Sequence, residues 1–140
     1  MQLEGTDAFE VLRDNTCWDL VRSTQVGRLA VVLDEQPEIF PVNHLVDHGT
    51  VMFRTALGTK LNAADGHRVA FEVDGVDQES GEAWSVVLKG RAHSLTNVHE
   101  ILDSFELPVI AWQRGPKPVF VRVEVDAVSG RRFRPSMIES

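Results

Sequence analysis

A chain of 140 residues, 43% hydrophobic and 25% charged, has the size and composition of one soluble globular domain. Its formal net charge of −7 argues against broad binding to the phosphate backbone of DNA or RNA, which needs a basic surface, but a local cation cluster could still hold one phosphate. One cysteine, Cys17, rules out an intramolecular disulfide framework, and no apolar run approaches the ~20 residues that cross a bilayer.

The opening residues, MQLEGTDAFEVL, lack the basic-then-apolar pattern of a signal peptide, so the cytoplasm is the expected compartment. No repeat, linker or low-complexity tract divides residues 1–140, which read as a single domain. The first element is a short helix over Thr16–Arg22, with Thr16 as N-cap and Asp19 as the capping-box acid. Cys17 lies in it and is expected to be a buried structural thiol. Val26–Leu33, VGRLAVVL, is an apolar run that suggests a strand buried on both faces. A turn at Asp34–Pro37 leads to a second strand, Glu38–Val46. Pro41 sits inside it, so this strand belongs at an edge or carries a bulge. Asp47-His48-Gly49 is a hairpin turn into Thr50–Thr55.

After Gly58 a short helix is expected, and then a strand over His67–Asp74 with Val69, Phe71 and Val73 on one face. Ala83–Leu95 is a long strand with Gly90 at a bend or bulge. Asn97–Phe105 reads as a helix with an N-x-x-E cap, and Leu107–Pro118 as irregular. Val119–Val128 alternates cleanly, with Val119, Val121, Val123 and Val125 on one face. Gly130–Phe133 is a candidate last piece. The sum is mainly β: six strands, mostly in hairpins without βαβ alternation, forming an antiparallel barrel with short flanking helices. A doubly wound dinucleotide fold is disfavoured because G-x-G-x-x-G is absent.

The chemistry concentrates in TVMFRTALGTKL, residues 50–61. A strand runs into a small-residue turn, and Thr59 and Lys60 follow at the start of a helix. Free backbone N–H groups and a lysine at such a place favour an anion. Arg54 and Thr55 end the strand that feeds the turn, and arginine can grip a phosphate bidentately. Lys89 and Arg91 are weaker candidates, because charged residues on an exposed strand face are ordinary. If the second and third strands pair about Asp47-His48-Gly49, Asn43 falls near Phe53 and Arg54. A flat aromatic ligand could then lie along this strand pair with its phosphate tail toward Lys60.

Other chemistries find less support. His44 and His48 are four apart, but in a strand and turn, and neither HExxH nor a cysteine pair exists, so no metal is expected. Ser85 lacks the G-x-S-x-G elbow.

In this order the segments CWDLVRSTQVGRLAVV (17–32), EIFPVNHLVDHGTVMFRTALGTKL (38–61), VAFEVDGVD (69–77), WSVVLKGRA (84–92) and SGRRF (129–133) resemble the pyridoxamine 5′-phosphate oxidase-like flavoproteins with the FMN-binding split β-barrel. The similarity is to the small branch that also resembles nitroimidazole-resistance proteins. The resemblance implies a homodimer with two flavin sites at the subunit interface and a flavin-dependent oxidoreductase whose substrate is unknown. It places Pro41, Val42 and Asn43 along the isoalloxazine ring, with Phe53, Arg54 and Thr55 continuing that wall. It places Thr59 and Lys60 on the phosphate, and Trp84 and Ser85 on a facing strand of the other subunit. Arg122 and Trp112 are candidates for the far rim. FMN is the implied cofactor; some relatives use a deazaflavin and some bind haem, so the alternatives are a deazaflavin-dependent reductase or a non-catalytic carrier or sensor that binds flavin, deazaflavin or haem. No acid or base residue stands out. Residues 131–134, Arg131-Arg132-Phe133-Arg134, lack the histidine that the true oxidases place there, which argues against oxidation of pyridoxamine phosphate.

Overall fold

A computed structural model describes residues 9–55, 58–95 and 119–135, the side chains at 59–61 excepted. Eight strands and two helices follow one another as β1 (Phe9–Val11), α1 (Asp14–Arg22), β2 (Val26–Leu33), β3 (Gln36–Asn43), β4 (Leu45–Asp47), β5 (Thr50–Thr55), α2 (Thr59–Ala64), β6 (Arg68–Val76), β7 (Ala83–Ser94) and β8 (Val119–Phe133). All strand pairs are antiparallel, in the order β3-β2-β6-β7-β8-β5-β4, with β1 on β8. The sheet curls into a half-barrel, so β3 and β5, far apart in that order, come within 8 Å of each other in Cα position. The expected helix at 97–105 and the irregular stretch at 107–118 lie outside the described residues, as does Trp112.

Alternation decides which side chains fill the barrel. Leu29 and Val31 from β2, Phe53 from β5, Val69, Phe71 and Val73 from β6, Val86 and Leu88 from β7, and Val121 and Val123 from β8 form one core. Burying side chains of this size stabilises by roughly 1.5–3 kcal/mol each. α1 closes one side of it with Cys17 and Val21, both fully buried. Burial also raises the Cys17 thiol above its ordinary range, with Asp14 adding to the effect, so this cysteine packs rather than reacts.

Two tight turns set the registers. Asp34 and Glu35, both at positive φ, join Leu33 to Gln36; His48 and Gly49, both at positive φ, join Asp47 to Thr50. Two residues with positive φ match the twist of antiparallel strands. Gly90 marks the bulge expected of it: the register shifts between Lys89 and Gly90, and a Cβ there would strike the backbone carbonyl of Glu124.

Several expectations are corrected. α1 begins at Asp14 rather than Thr16; Arg13 takes the N-cap position without a side-chain bond, and the Thr16 amide donates to Asn15 Oδ1 at 2.9 Å. β2 is buried on one face only, with Val26 and Val32 outward and exposed, because no described layer covers the outer face of β2. The strand expected at Glu38–Val46 starts at Gln36 and breaks at His44 into β3 and β4, whose partners differ: β3 pairs with β2, and β4 with β5. That break, together with β1, accounts for eight strands among the described residues where six were expected. β3 is an edge strand, as Pro41 required.

Candidate functional site

The site-bearing segments meet where the curled sheet stays split. β3 ends at Pro41-Val42-Asn43 and β5 ends at Arg54-Thr55. The two strands do not pair as a hairpin, since the His48-Gly49 turn joins β4 to β5, yet the curl still brings β3 beside β5. Strand alternation then sorts the candidates. Val42, Phe53 and Thr55 turn their side chains inward and are buried, so toward a ligand they can offer only backbone. Pro41 and Asn43 of β3 and Arg54 of β5 turn outward, Pro41 exposed and the other two half-buried.

Arg54 is the most informative of these. Its guanidinium carbon stands 5.5 Å from the Phe120 ring centroid, a cation–π geometry. Its Nε is buried and has no hydrogen-bond partner among the described residues. A buried, unpaired guanidinium N–H costs free energy unless an acceptor from elsewhere completes it. The neighbouring cation behaves differently. Arg122 donates to Asp47 Oδ2 at 3.1 Å and to Thr50 Oγ1 at 2.8 Å, binding β8 to the β4–β5 turn. Burial pushes the Asp47 carboxyl up, but Arg122 and His48 outweigh that and hold it below the usual carboxylate value. Arg122 is thus a structural cation with its acceptors in place.

Past Arg54, Gly58 takes φ +149°, a conformation that favours glycine, and α2 begins at Thr59 and Lys60. The strand–turn–helix order read from residues 50–61 is present.

A cleft of about 420 Å³ opens next to Asn43. The end of α1 and the linker after it form one wall with Val21, Arg22, Thr24 and Gln25; the β3–β4 break forms the other with Asn43, His44, Leu45 and Val46. His44 is buried. Its ring Nε2 lies 3.1 Å from the Val21 carbonyl oxygen and 3.2 Å from Thr24 Oγ1, and its ring meets Phe71 edge-on at 4.9 Å. A carbonyl only accepts, so Nε2 carries the proton and the neutral ring has a bare Nδ1, which is buried without a partner. Burial lowers the pKa of His44, and the bond to Val21 opposes this only partly.

Other candidates lie elsewhere. β7 stands three strands from β3 in the sheet, about 14 Å at ordinary strand spacing, so Trp84 and Ser85 are not beside Asn43 within this chain. Trp84 packs inward over Gly75; Ser85 faces out between Asp74 and Arg131. Lys89 and Arg91 are exposed on β7, and Arg91 donates to the Gly66 carbonyl at 2.8 Å. The terminal arginines are occupied locally: Arg131 lies 5.0 Å over Phe9, Arg132 is 3.6 Å from Glu10, and Arg134 donates to the Ser80 carbonyl. They clasp β1 and the β6–β7 loop. No group of His, Cys, Asp or Glu among the described residues is placed to hold a metal.

The sequence reading missed His44 and the α1 terminus as walls of the site. The available signal was a polar residue directly after Asn43, interrupting an otherwise strand-like run.

A curled antiparallel sheet, split beside a cleft and an arginine whose buried Nε has no partner among the described residues, is the flavin-binding split-barrel class of fold. Comparison with known proteins agrees. The chain belongs to the pyridoxamine 5′-phosphate oxidase family, whose model matches residues 13–132. It is similar to the FAD-binding protein from Mycobacterium smegmatis, with 36% identity, a TM-score of 0.77, and coverage of 89% of this chain and 97% of that one. An FAD-binding protein from Mesorhizobium loti gives 26% identity, a TM-score of 0.75, and coverage of 89% and 97%. An uncharacterized protein of Mycobacterium tuberculosis is 31% identical over 120 residues, covering 81% of this chain and 78% of that relative.

Proposed function

We propose that the protein is a flavin-dependent oxidoreductase that works as a homodimer, with the flavin lying along the split between β3 and β5. The observation behind this reading is Arg54: a buried guanidinium Nε with no acceptor, on the outward face of β5, in a fold whose relatives include FAD-binding proteins. The moiety held is flavin mononucleotide, either as FMN or as the FMN half of FAD.

The residues divide the work by chemistry. Arg54 and Lys60 supply positive charge for the phosphate, and the Thr59 hydroxyl adds a donor. Backbone groups at Pro41, Val42, Phe53 and Thr55, with the Asn43 amide, border the ring. Donors at that edge favour negative charge on it. When bound, the isoalloxazine supplies hydride or single-electron transfer; the protein supplies position and electrostatics. Ser85, which faces out but is too distant within one protomer, serves from the other subunit, with the inward-packed Trp84 offering backbone beside it, which is why the reading needs a dimer. No residue is assigned as acid or base.

A parallel titration tests the reading. Cofactor-free protein is titrated with FMN, FAD and the deazaflavin, and the bound form is then challenged with a nicotinamide donor and an acceptor. Saturable flavin binding at one per subunit with donor-dependent turnover supports an oxidoreductase. Binding without turnover makes the protein a carrier or sensor. Binding of the deazaflavin alone changes the cofactor and keeps the fold.

A further inference from the structure

We infer that His44 is a proton-operated latch on the cleft. Neutral, it bolts the C-terminal turn of α1 to the β3–β4 break; protonated, it releases that seam and loosens the cofactor edge at Asn43. The latch itself rests on the geometry of the seam, and its effect on cofactor rests on the flavin reading above.

The two walls of the cleft belong to different segments, and His44 is tied to the opposite one at three points. Its backbone N–H donates to the Gln25 carbonyl at 3.0 Å. Its ring Nε2–H faces the Val21 carbonyl, and Thr24 Oγ1, whose own hydrogen goes to the same carbonyl at 2.9 Å, is within reach as a second acceptor. Val21 O is a helix-terminal carbonyl that already accepts from the Thr24 N–H at 3.2 Å and from Thr24 Oγ1 at 2.9 Å, and the imidazole adds a donor to it from the opposite wall. Breaking this bolt without opening the seam leaves the buried Nε2–H of His44 unpaired, and the tie between the two walls is reduced to the backbone bond from His44 to Gln25.

A second proton has only Nδ1 to go to, and Nδ1 is buried without an acceptor among the described residues. The charged and polar groups around the ring offer it no relief. From α1, the cleft receives Arg22, a cation paired to Asp19 at 3.1 Å. The linker brings neutral Thr24 and Gln25, and β6 brings only the Phe71 ring. On its own segment Asn43, Leu45 and Val46 are neutral, while Asp47 is engaged by Arg122 and His48. The described lining residues include no carboxylate. An imidazolium here is therefore favoured only where the seam opens and water reaches Nδ1. The shift belongs below about pH 6.5, the ordinary imidazole value.

The test uses the full chain and three proteins: the parent, His44→Gln, which keeps a donor for Val21 O but does not titrate, and His44→Phe, which has neither. In cofactor-free protein, the His44 imidazole signals and the amide exchange of residues 21–25 are followed by NMR from pH 8 to pH 5. Flavin affinity is measured over the same range. In the parent, exchange at 21–25 rises in step with His44 protonation, and flavin affinity falls about tenfold from pH 7.5 to pH 5.5. In His44→Gln both profiles are flat. In His44→Phe exchange is high and affinity low throughout. Identical pH profiles in the parent and His44→Gln overturn the latch, as does His44 titration without change at 21–25. If no flavin binds at any pH, the cofactor reading fails, and the cofactor-free NMR series still decides the latch.

Discussion

The guanidinium of Arg54 stands 5.5 Å over the ring of Phe120 with its Nε buried and unpaired, whereas Arg122 on the neighbouring strand has both of its acceptors, Asp47 and Thr50. Two arginines on one face of the β5–β8 pair thus serve different ends. One holds the fold together, and the other has a buried Nε with no partner among the described residues.

The Arg54 assignment has a stability consequence. Replacing it with methionine keeps the packing against Phe120 and removes the unpaired N–H, whose burial costs about 1–3 kcal/mol. Cofactor-free Arg54→Met should be as stable as the parent in urea unfolding, or more stable by up to about 1 kcal/mol. A loss of stability in the cofactor-free protein would show that Arg54 is a structural residue.

Asp47 predicts the opposite sign. Its carboxyl is held below the ordinary value of 3.8, so the folded state gains from its ionised form. That contribution is present above about pH 4 and is lost as pH falls through the depressed folded value. Asp47→Ala should cost about 1–2 kcal/mol at pH 7, and the difference from the parent should narrow below pH 4. Paired urea titrations at pH 7 and pH 3.5 check it.

Glu72 titrates the other way. Burial, then the hydrogen bond and charge of Asp74, raise its carboxyl to about 7, with Arg28 only partly offsetting them. A carboxyl whose folded pKa is raised favours the folded state in its protonated form, so the native protein loses stability as pH rises from about 4.5 through 7. Glu72→Gln should match the parent near pH 4.5 and exceed it by about 1 kcal/mol at pH 8, a figure discounted for partial solvent screening. Melting temperatures at the two pH values decide this; an equal gain at both would remove ionisation as the cause.

Gly90 tests the barrel closure. A methyl group there would meet the Glu124 carbonyl, a backbone atom that cannot step aside without breaking the β7–β8 register. Gly90→Ala should destabilise by about 2–3 kcal/mol. Gly81, at positive φ with open space around its Cβ direction, is a control: substitution there should cost only about 1 kcal/mol through backbone strain.

Much of the fold was legible because one sheet face is buried. Val69, Phe71 and Val73, and Val121 and Val123, announce their strands by alternation, and all are inside. β1 gave no such signal: each residue of Phe9–Val11 is exposed, and the strand exists through pairing with the far end of β8. The split of β3 from β4 was illegible for a related reason, since His44 turns inward to bond a carbonyl at the end of α1 that no local pattern reveals. At the site, Arg54 and Asn43 were readable from strand position and turn chemistry. Phe53 and Thr55 were readable as neighbours, but their inward direction follows from the register of β5 on β8.

The central claim is that Arg54 on the β3–β5 split receives a flavin phosphate. The most direct measurement is an equilibrium flavin titration of the parent and Arg54→Met, with Lys60→Ala beside them, at one pH and salt concentration. Saturable binding to the parent, at least about tenfold weaker binding to Arg54→Met and Lys60→Ala, and unchanged folding of all three are expected. Equal affinity in the parent and Arg54→Met, or no flavin binding by the parent at all, would contradict the claim.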